Sequence, residues 1–586
     1  MALTRCSSRP LFASFSHAVP PKFVVFPKNV RNVRFVSNIA ARSKILLPPR
    51  ARMCGTVPTP RTGRNGKPTV LSSSVGIGSG SIWGPTVHAT SLAIPRSSRT
   101  GRSRIGNPNR SNQAAVVVGL VAVVISLAGS WIPSYWSDEV ATLRASRLSW
   151  HELFAFVEHK DAVHAAYYSL VKLWVGAFGE SELATRSLSA IAVAAAAAGL
   201  VVLVASVTSV RMAVSAGLIF TVLPRTTSMG IEARSFALSV AVAVWITVIL
   251  LVAARARNWR WWAAYAALGA AGTYLFLYSV LIFAAHLVFL LLHHPVRRIL
   301  VPWLIAASVA VATALPILLV SVTQKDQIAW LSDQPVVNAW TILVEPGFDS
   351  SWLVAAIAWC TLLLVAYRSR TIMLSPHSGL FRLAAAWFLV PLVLLLTADA
   401  LIGPLYTARY LSLTVPAVAI LLAIAFTMPA RSIVAGILVA ALALASVPTY
   451  IAQRGPFAKN GGSDLSQIAD YIHSHAAEGD GIYLQDTGSI TLRPRQALYA
   501  YPEAFADTAD LALEAPFTTT GTFSDRTLSL DEIGPGLAGI DRIWVVTAGL
   551  LDSDVTREAY AALQPIGFFA GTSHKTNRSL ITLYER

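Results

Sequence analysis

Long apolar segments recur along the chain and constrain its fold more than any other feature. About 20 apolar residues make a helix that crosses a bilayer. Segments of this kind lie at 114–132, 186–208, 212–229, 235–254, 261–277, 278–293, 299–321, 352–367, 382–400, 410–428 and 432–450. With a mean hydropathy of +0.57, the chain is too apolar for a soluble globular protein. We therefore predict an α-helical polytopic membrane protein with about eleven transmembrane helices.

The first 110 residues differ from the rest of the chain in charge. They hold 18 of the 47 Lys and Arg residues and no Asp or Glu, leaving 29 basic against 30 acidic residues in the remainder. Because this Ser-, Pro- and Gly-rich segment buries little apolar surface, we predict a disordered basic tail over residues 1–110. A transit peptide, a cytoplasmic arm and a start codon placed too far upstream are alternative interpretations, of which we favour the last two. The excess charge is confined to the tail, so we expect no nucleic-acid partner.

Basic residues in alternate connectors indicate the orientation. Under the positive-inside rule they place the N-terminus in the cytoplasm of a multi-pass plasma-membrane protein. These residues are Arg211, Arg255, Arg257, Arg260, Arg297, Arg298, Arg368, Arg370, Arg382 and Arg431. The apolar stretch 162–178 breaks this alternation if it spans, so we predict an interfacial helix on the outer surface. If it spans instead, the number and orientation of all later helices change.

The composition becomes that of a soluble domain after Tyr450. We divide the chain into the tail, a membrane module over 111–452 and a small extracytoplasmic α/β domain over 453–586. Its predicted strands and helices are Gly481–Gln485, Ile543–Val546, Ser579–Leu583, a helix capped by Asp464 and running to Ala477, and Thr556–Leu563. We favour a lid or docking module without chemistry of its own.

Polar residues of the first outer loop suggest a site. Asp138 and Glu139 are the first acidic residues of the chain, and they follow the first apolar segment. Carboxylates near hydrocarbon are costly, which favours a wet functional cavity over an ordinary hydrated loop. Asp161, His164 and Tyr168 share one helical face by their spacing. That face is directed either toward the same cavity or simply toward water.

Two later motifs lie on the same predicted side. Glu232 and Arg234 are two residues apart and either position an anion or form an ion pair between helices. Arg409 precedes Tyr410 at the start of a late apolar segment. The planar guanidinium suits a phosphate, although Arg and Tyr also anchor helices at the interface. Lys325 lies in a loop over 322–351 that is long enough to cover a cavity.

Taken in order, these motifs resemble those of the GT-C membrane glycosyltransferases. The branch includes protein O-mannosyltransferases, aminoarabinose transferases and actinobacterial mannosyl- and arabinosyltransferases. Trp136-x-Asp138-Glu139 and Arg409-Tyr410 are each similar to a motif of the family. Asp161 to Tyr168 corresponds to the family's Asp-x-His-Pro-Pro-x-Tyr-Tyr. Glu232-Ala-Arg234-Ser-Phe236 corresponds to its Glu-Ala-Arg-x-Tyr segment. Ala165 and Ala166 stand where the family has two prolines. The resemblance covers roughly residues 114–450.

The resemblance implies a reaction. Such enzymes transfer a sugar from a polyprenyl-phosphate donor to a hydroxyl on the outer face of the membrane. Mannose ranks first, ahead of arabinose and other pentoses, and the acceptor is a glycolipid, a lipoglycan or a protein of the cell envelope.

The resemblance also implies roles for the residues. Asp138 acts as general base and Glu139 orients the acceptor or a neighbouring residue. The donor phosphate is assigned to Arg409, Tyr410 and Lys325, and the substrate to Asp161, His164, Tyr167, Tyr168, Glu232 and Arg234. An Asp-Glu pair is able to bind a divalent cation through its oxygens, but we expect no obligatory metal or other cofactor.

Two other classes of function compete with this interpretation. A transporter or flippase places ionisable groups near the bilayer midplane in repeated halves, whereas these residues cluster at one face. A non-catalytic envelope scaffold is the second alternative. An enzyme requires Asp138 and Arg409 to face one shared site, and a scaffold does not.

Overall fold

The computed structural model describes residues 108–256, 258–293, 297–333, 337–428, 432–549 and 554–586. The predicted basic tail lies outside these residues except for its last three positions, where the first helix begins at Pro108.

Helices make up the first part of the described chain, up to Ala452. In chain order they are α1 (Pro108–Leu127), α2 (Ser137–Arg147), α3 (Trp150–His159), α4 (Ala165–Phe178), α5 (Glu182–Ala205), α6 (Val210–Val222), α7 (Pro224–Met229), α8 (Phe236–Ala256), α9 (Trp259–Leu275), α10 (Leu281–Leu292), α11 (Arg297–Thr323), α12 (Ala339–Leu343), α13 (Glu345–Phe348), α14 (Trp352–Tyr367), α15 (Ser369–Met373), α16 (Ser378–Ile402), α17 (Val415–Thr427) and α18 (Ser432–Ala452). Short 3₁₀ segments cover Ala162–His164, Leu277–Val280, Lys325–Asp333 and Ala408–Thr414.

Each predicted apolar segment contains a helix. By length and composition, 7 helices among the described residues are able to cross a membrane. They are Asn109–Leu127, Glu182–Ala205, Phe236–Ala256, Arg298–Thr323, Ser378–Ile402, Ala408–Thr427 and Ile433–Ala452. Three shorter apolar helices cover Val210–Val222, Leu277–Leu292 and Trp352–Tyr367. The count of about eleven spans stays a prediction. The 14-residue helix α4 is not among the candidate spans, so its interfacial position also stays a prediction.

One predicted segment, 212–229, is not a single helix. Helix α6 ends at Val222, and Leu223 adopts an extended conformation (φ −61°, ψ 134°) before Pro224 opens α7. The ring of a proline disfavours the helical conformation in the residue before it, which explains the break. As a result Arg225 lies in a short buried helix and not within a continuous span.

The main core lies where these helices pack together. The apolar window Ala408–Thr427 has 89% of its residues buried, so α17 runs through the centre of the bundle. Helices α5 and α8 are also mostly buried, whereas less than a third of the residues in the apolar windows of α11, α16 and α18 are buried. Exposed apolar surface on long helices is what a lipid-facing position requires.

A mixed sheet forms the C-terminal region. Its strands are β1 (Gly481–Leu484), β2 (Ala509–Asp510), β5 (Arg542–Ala548), β6 (Phe569–Lys575) and β7 (Ser579–Glu585), in the order β2-β1-β5-β7-β6. β1 is parallel to β2 and β5, and β7 is antiparallel to β5 and β6. A two-stranded sheet pairs β3 (Leu513–Ala515) with β4 (Arg526–Thr527). The helices are α19 (Leu465–His475), α20 (Gln496–Ala500), α21 (Phe517–Thr520) and α22 (Asp554–Leu563), with 3₁₀ turns at Ile490–Leu492, Pro502–Phe505, Gly534–Leu537 and Gln564–Ile566.

The three predicted strands and both predicted helices of this region are confirmed, but one detail is wrong. Asp464 occupies the N-cap position of α19, yet its side chain bonds no helical N–H group. Its carboxylate accepts hydrogen bonds from the Thr576 hydroxyl at 2.6 Å and from the Arg578 N–H at 2.8 Å. The side chain therefore ties α19 to the turn before β7.

Candidate active site

Helix α2 places the two neighbouring carboxylates in different environments. It begins after Trp136, which has an extended backbone, and carries both acids in its first turn. Negative charge there is favourable because the amino end of a helix is electropositive. Adjacent residues on a helix project about 100° apart. The Asp138 side chain is 27% exposed, whereas Glu139 is fully buried.

Two arginines surround the Asp138 carboxylate. Arg409 Nη1 donates a hydrogen bond to Asp138 Oδ2 at 2.8 Å, and Arg234 Nε lies 3.8 Å from the same oxygen. Arg234 Nη1 also donates to the backbone carbonyl of Asp138 at 3.2 Å. Three segments far apart in sequence therefore converge on one partly exposed point.

Aromatic side chains hold Arg409 and its neighbour in place. The guanidinium carbon of Arg409 lies 5.5 Å from the ring centre of Trp136 and 5.3 Å from that of Trp330. Cation–π contacts at this distance favour a charged guanidinium beside the rings. Tyr410 stacks on Tyr278 with ring centres 4.5 Å apart. The aromatic contacts restrict the orientations available to this segment.

The Asp161 loop supplies the next group of residues. Asp161 has a left-handed backbone (φ 63°), which Asp tolerates better than most residues, and its carboxylate accepts a hydrogen bond from the Tyr168 hydroxyl. The His164 ring lies 5.7 Å from the Tyr168 ring. The structure thus brings together the three residues whose spacing predicts a common face.

His164 joins this loop to the arginines. Arg234 Nη2 lies 3.2 Å from His164 Nε2, so that nitrogen accepts a hydrogen bond and the ring proton is assigned to Nδ1. Burial lowers the pKa of His164 to about 4, and the charge of Arg234 acts in the same direction. The buried Nδ1 has no hydrogen-bond partner among the described residues. His164 is therefore neutral at physiological pH and has a donor to offer.

Two predicted site residues make no polar contact within the described chain. Tyr167 is fully buried in an apolar cluster with Tyr168 and Leu188, and its hydroxyl has no hydrogen-bond partner there. Burial raises the pKa of this hydroxyl. Lys325 is exposed at the start of a 3₁₀ segment. The roles assigned to both residues stay predictions.

Glu139 forms a buried bridge. Its two carboxylate oxygens accept hydrogen bonds from Arg186 Nε at 2.9 Å and Nη2 at 2.7 Å, and Oε1 also accepts from the Ala233 N–H at 2.8 Å. Arg186 Nη1 donates in addition to the carbonyls of Ser130 and Pro133. Both charged side chains are 0% exposed. The bridge connects α2, α5 and the segment before α8, and thereby fixes the position of Asp138 beside Arg234.

Glu232 and Arg234 have different partners despite their proximity in sequence. Glu232 Oε1 lies 3.2 Å from the ammonium of Lys459, which belongs to the segment that follows the last span. Ser189 donates a hydrogen bond to the Glu232 carbonyl at 2.5 Å. Burial alone would raise the pKa of Glu232, but the charges of Lys459 and Arg225 lower it to about 2. Glu232 is therefore ionised.

The C-terminal region packs on the side of α2 away from Arg409. The guanidinium carbon of Arg144 lies 3.4 Å from the ring centre of Tyr499, and Arg147 donates to the Tyr499 carbonyl at 2.6 Å. Val140 and Leu143 of α2 belong to the same apolar core as residues of α19 and of the sheet. The helix that carries Asp138 is thus shared between the bundle and the C-terminal region.

Sequence reasoning misses three residues of this arrangement and the partner of a fourth. Arg186 and Arg225 each fall inside a predicted apolar segment, and a charge there is by itself a sign of function or of a buried partner. Trp330 lies in the predicted covering loop but is not assigned to Arg409. Lys459 follows the last span in a Gly-rich linker, where no sequence pattern marks it.

No metal centre is evident in the described ranges. Within them, no group of three or more His, Cys, Asp and Glu side chains is arranged to hold a metal ion. The expectation that no divalent cation is obligatory stays a prediction.

Comparisons with known proteins concern the family and the fold. A family model described as dolichyl-phosphate-mannose-protein mannosyltransferase matches residues 166–321, less than half of the chain. No curated protein sequence matches. Two structures of ArnT from Cupriavidus metallidurans are similar, each with a TM-score of 0.52. The one bound to undecaprenyl phosphate is 14% identical over 80% of this chain and 98% of its own, and the apo structure is 13% identical over 81% and 98%.

An oligosaccharyltransferase of Archaeoglobus fulgidus has a TM-score of 0.41 at 13% identity, over 75% of this chain and 70% of its own. The chain has the fold of ArnT, and with the family model this confirms the resemblance to GT-C glycosyltransferases that the motifs indicate.

Proposed function

We propose that the protein is a membrane glycosyltransferase that uses a polyprenyl-phosphate sugar as donor. The single observation that carries the proposal is the contact between Asp138 and Arg409, with Arg234 at 3.8 Å from the same carboxylate oxygen. A base for the acceptor and cations for the departing phosphate are the two groups that such a transfer needs. A scaffold has no need to bring them together, and a midplane transport site does not place them at the ends of the helices.

Asp138 is the proposed general base. Its carboxylate is partly exposed, so an acceptor hydroxyl is able to reach the oxygen that Arg409 does not hold. The acceptor oxygen attacks the anomeric carbon and loses its proton to Asp138, and the bond from that carbon to the phosphate oxygen breaks. The electron pair stays with the phosphate, and the sugar is inverted at the anomeric carbon.

Arg409 and Arg234 are the proposed phosphate ligands. A guanidinium presents several N–H donors in one plane, which matches phosphate oxygens. When the donor phosphate binds, it competes with Asp138 for Arg409, which frees the carboxylate to take the proton of the acceptor. His164, with its unpartnered Nδ1, would donate to a sugar hydroxyl, and Tyr168 would support the loop through Asp161.

The proposal also extends to the identity of the sugar and of the acceptor. Mannose ranks first because the matching family model is described as a mannosyltransferase. The acceptor would be a hydroxyl of a glycolipid, lipoglycan or protein in the cell envelope. We further propose that the reaction takes place on the outer face, with the N-terminus in the cytoplasm and the C-terminal region outside.

A donor panel tests this proposal. The purified full-length protein in lipid would be offered polyprenyl-phosphate mannose, arabinose and glucose, each radiolabelled, with a membrane extract as acceptor. Transfer from one lipid-linked sugar, and none from the matching nucleotide sugar, is the expected result. Transfer from the nucleotide sugar alone, or from no sugar while the protein moves lipid across vesicles, would contradict it.

A further inference from the structure

Lys459 is buried beside the proposed active site although it lies outside every apolar segment. The residue is 7% exposed, and its ammonium lies 3.2 Å from Glu232 Oε1. A lysine in a Gly-rich linker normally reaches water, because burying its charge is costly unless an anion is near. The linker therefore directs this charge inward.

The partners of Lys459 leave part of its hydrogen-bonding capacity unused. An ammonium has three N–H donors. Among the described residues, the single hydrogen bond that the Lys459 ammonium donates is the one to Glu232. The remaining two donors are available to another anion.

Arg225, whose charge also lowers the pKa of Glu232, likewise has an unused donor within the described chain. Its Nε donates to the Ser412 hydroxyl at 2.8 Å, and its Nη1 is 3.9 Å from Asp349. Its buried Nη2 has no hydrogen-bond partner in the part of the chain that the structure describes. Ser412 donates in turn to the carbonyl of Arg409 at 2.6 Å, so Arg225 contacts the segment that carries the proposed phosphate ligand.

The linker also runs along the start of the helix that carries Asp138. Asn460, in a left-handed conformation (φ 49°), places its Nδ2 3.4 Å from the Ser137 hydroxyl. Ser463 donates to the Tyr135 carbonyl at 2.6 Å. The charge of Arg409 acts on Glu232 together with those of Lys459 and Arg225. Lys459 contacts the Glu232 carboxylate directly, and the charges of Arg225 and Arg409 lower its pKa as well.

We infer that Lys459 binds the donor phosphate, with Arg225 beside it, and that Glu232 holds the ammonium in place until the donor arrives. This inference rests on the proposed function. Breaking the bond to the anomeric carbon raises the charge on the phosphate from about one to about two, so a further cation is most valuable on the product side. The ligand class is a phosphate ester on a lipid.

The inference predicts effects of opposite sign for two variants of one ion pair. Lys459→Gln removes a charge-assisted donor and should weaken binding of undecaprenyl phosphate about ten- to a hundredfold. Glu232→Gln removes the competing carboxylate and should tighten binding several-fold. The variant carrying both changes should bind like Lys459→Gln alone, and Lys459→Arg should retain most of the affinity.

The measurement is a titration of full-length protein in nanodiscs with undecaprenyl phosphate, followed by tryptophan fluorescence. Inorganic phosphate, added in a separate arm, tests whether the lipid is needed for binding. Thermal unfolding of each variant separates loss of the ligand from loss of the fold. If wild type binds the lipid and both single variants shift the Kd in the same direction, or neither shifts it, the inference is wrong. If wild type does not bind the lipid, the proposed function fails and the inference with it.

Discussion

Replacing Glu139 by Gln should destabilise the protein rather than remove a reactive group. Glu139 accepts three hydrogen bonds, at 2.9, 2.7 and 2.8 Å, from Arg186 and the Ala233 N–H. Both members of the ion pair are 0% exposed. An amide in place of the carboxylate leaves the Arg186 charge uncompensated in a fully buried site.

The magnitude follows from this burial. Removing one partner of a buried ion pair costs about 3–5 kcal/mol, which changes the unfolding equilibrium constant by roughly a hundredfold or more. The Gln side chain keeps one acceptor oxygen, so we expect the lower end, about 3 kcal/mol. Adding Arg186→Met should recover part of the loss, because the uncompensated charge disappears.

The assay is equilibrium unfolding in mixed micelles with graded amounts of a denaturing detergent, with helicity as the signal. Glu158→Gln is a matched control, since Glu158 is exposed on the neighbouring helix α3, and it should leave stability unchanged. Turnover per folded Glu139→Gln molecule should fall much less than for Asp138→Asn. A Glu139→Gln protein as stable as wild type but without turnover would refute the structural role and make Glu139 catalytic.

Three further predictions concern the surroundings of Asp138. Arg409→Ala should raise the KM for the lipid-linked donor about ten- to a hundredfold, since it removes a charged hydrogen-bond donor; an unchanged donor KM would exclude the phosphate role. The lowered pKa of His164 (about 4, against about 6.5 unfolded) means that the unfolded state binds a proton first as the pH falls. Stability should therefore decline as the pH falls from about 6.5 to 4, by at most about 1.4 kcal/mol per pH unit. His164→Gln should reduce this slope. Identical pH profiles of the unfolding midpoint for wild type and His164→Gln would contradict the burial of a neutral His164. Tyr499→Ala should lower stability and turnover together, because it removes the ring that packs on Arg144 of α2. The control Tyr471→Ala, on α19, should lower stability with less effect on turnover. Equal effects of the two variants on turnover would argue against a link from Tyr499 to α2.

The sequence predicts the helical architecture well because hydrophobicity is a local property. Each apolar segment contains a helix, and the strands around Gly481, Ile543 and Ser579 are present. The break at Leu223 is also local, since Pro224 by itself disfavours a continuous helix there. The strand β6 (Phe569–Lys575) is harder to predict, because it is an exposed edge strand without an alternating pattern of burial.

The site is predicted less completely because its contacts join distant parts of the chain. The residues around Asp138 are identified by resemblance, yet adjacency in sequence does not show that Asp138 is open and Glu139 buried. That difference depends on Arg186, which lies 47 positions after Glu139. Lys459 lies 227 positions after its partner Glu232. Pairings at such separations depend on the packing of the whole bundle and carry no local pattern.

The most direct test of the account is sugar transfer by wild type, Asp138→Asn and Glu158→Gln in the same lipid. Each protein would be given radiolabelled polyprenyl-phosphate mannose and a membrane extract, with binding of the donor measured separately. The account predicts transfer by wild type and Glu158→Gln, and donor binding without transfer by Asp138→Asn. Equal transfer by Asp138→Asn and wild type would contradict the central claim that this carboxylate is the base.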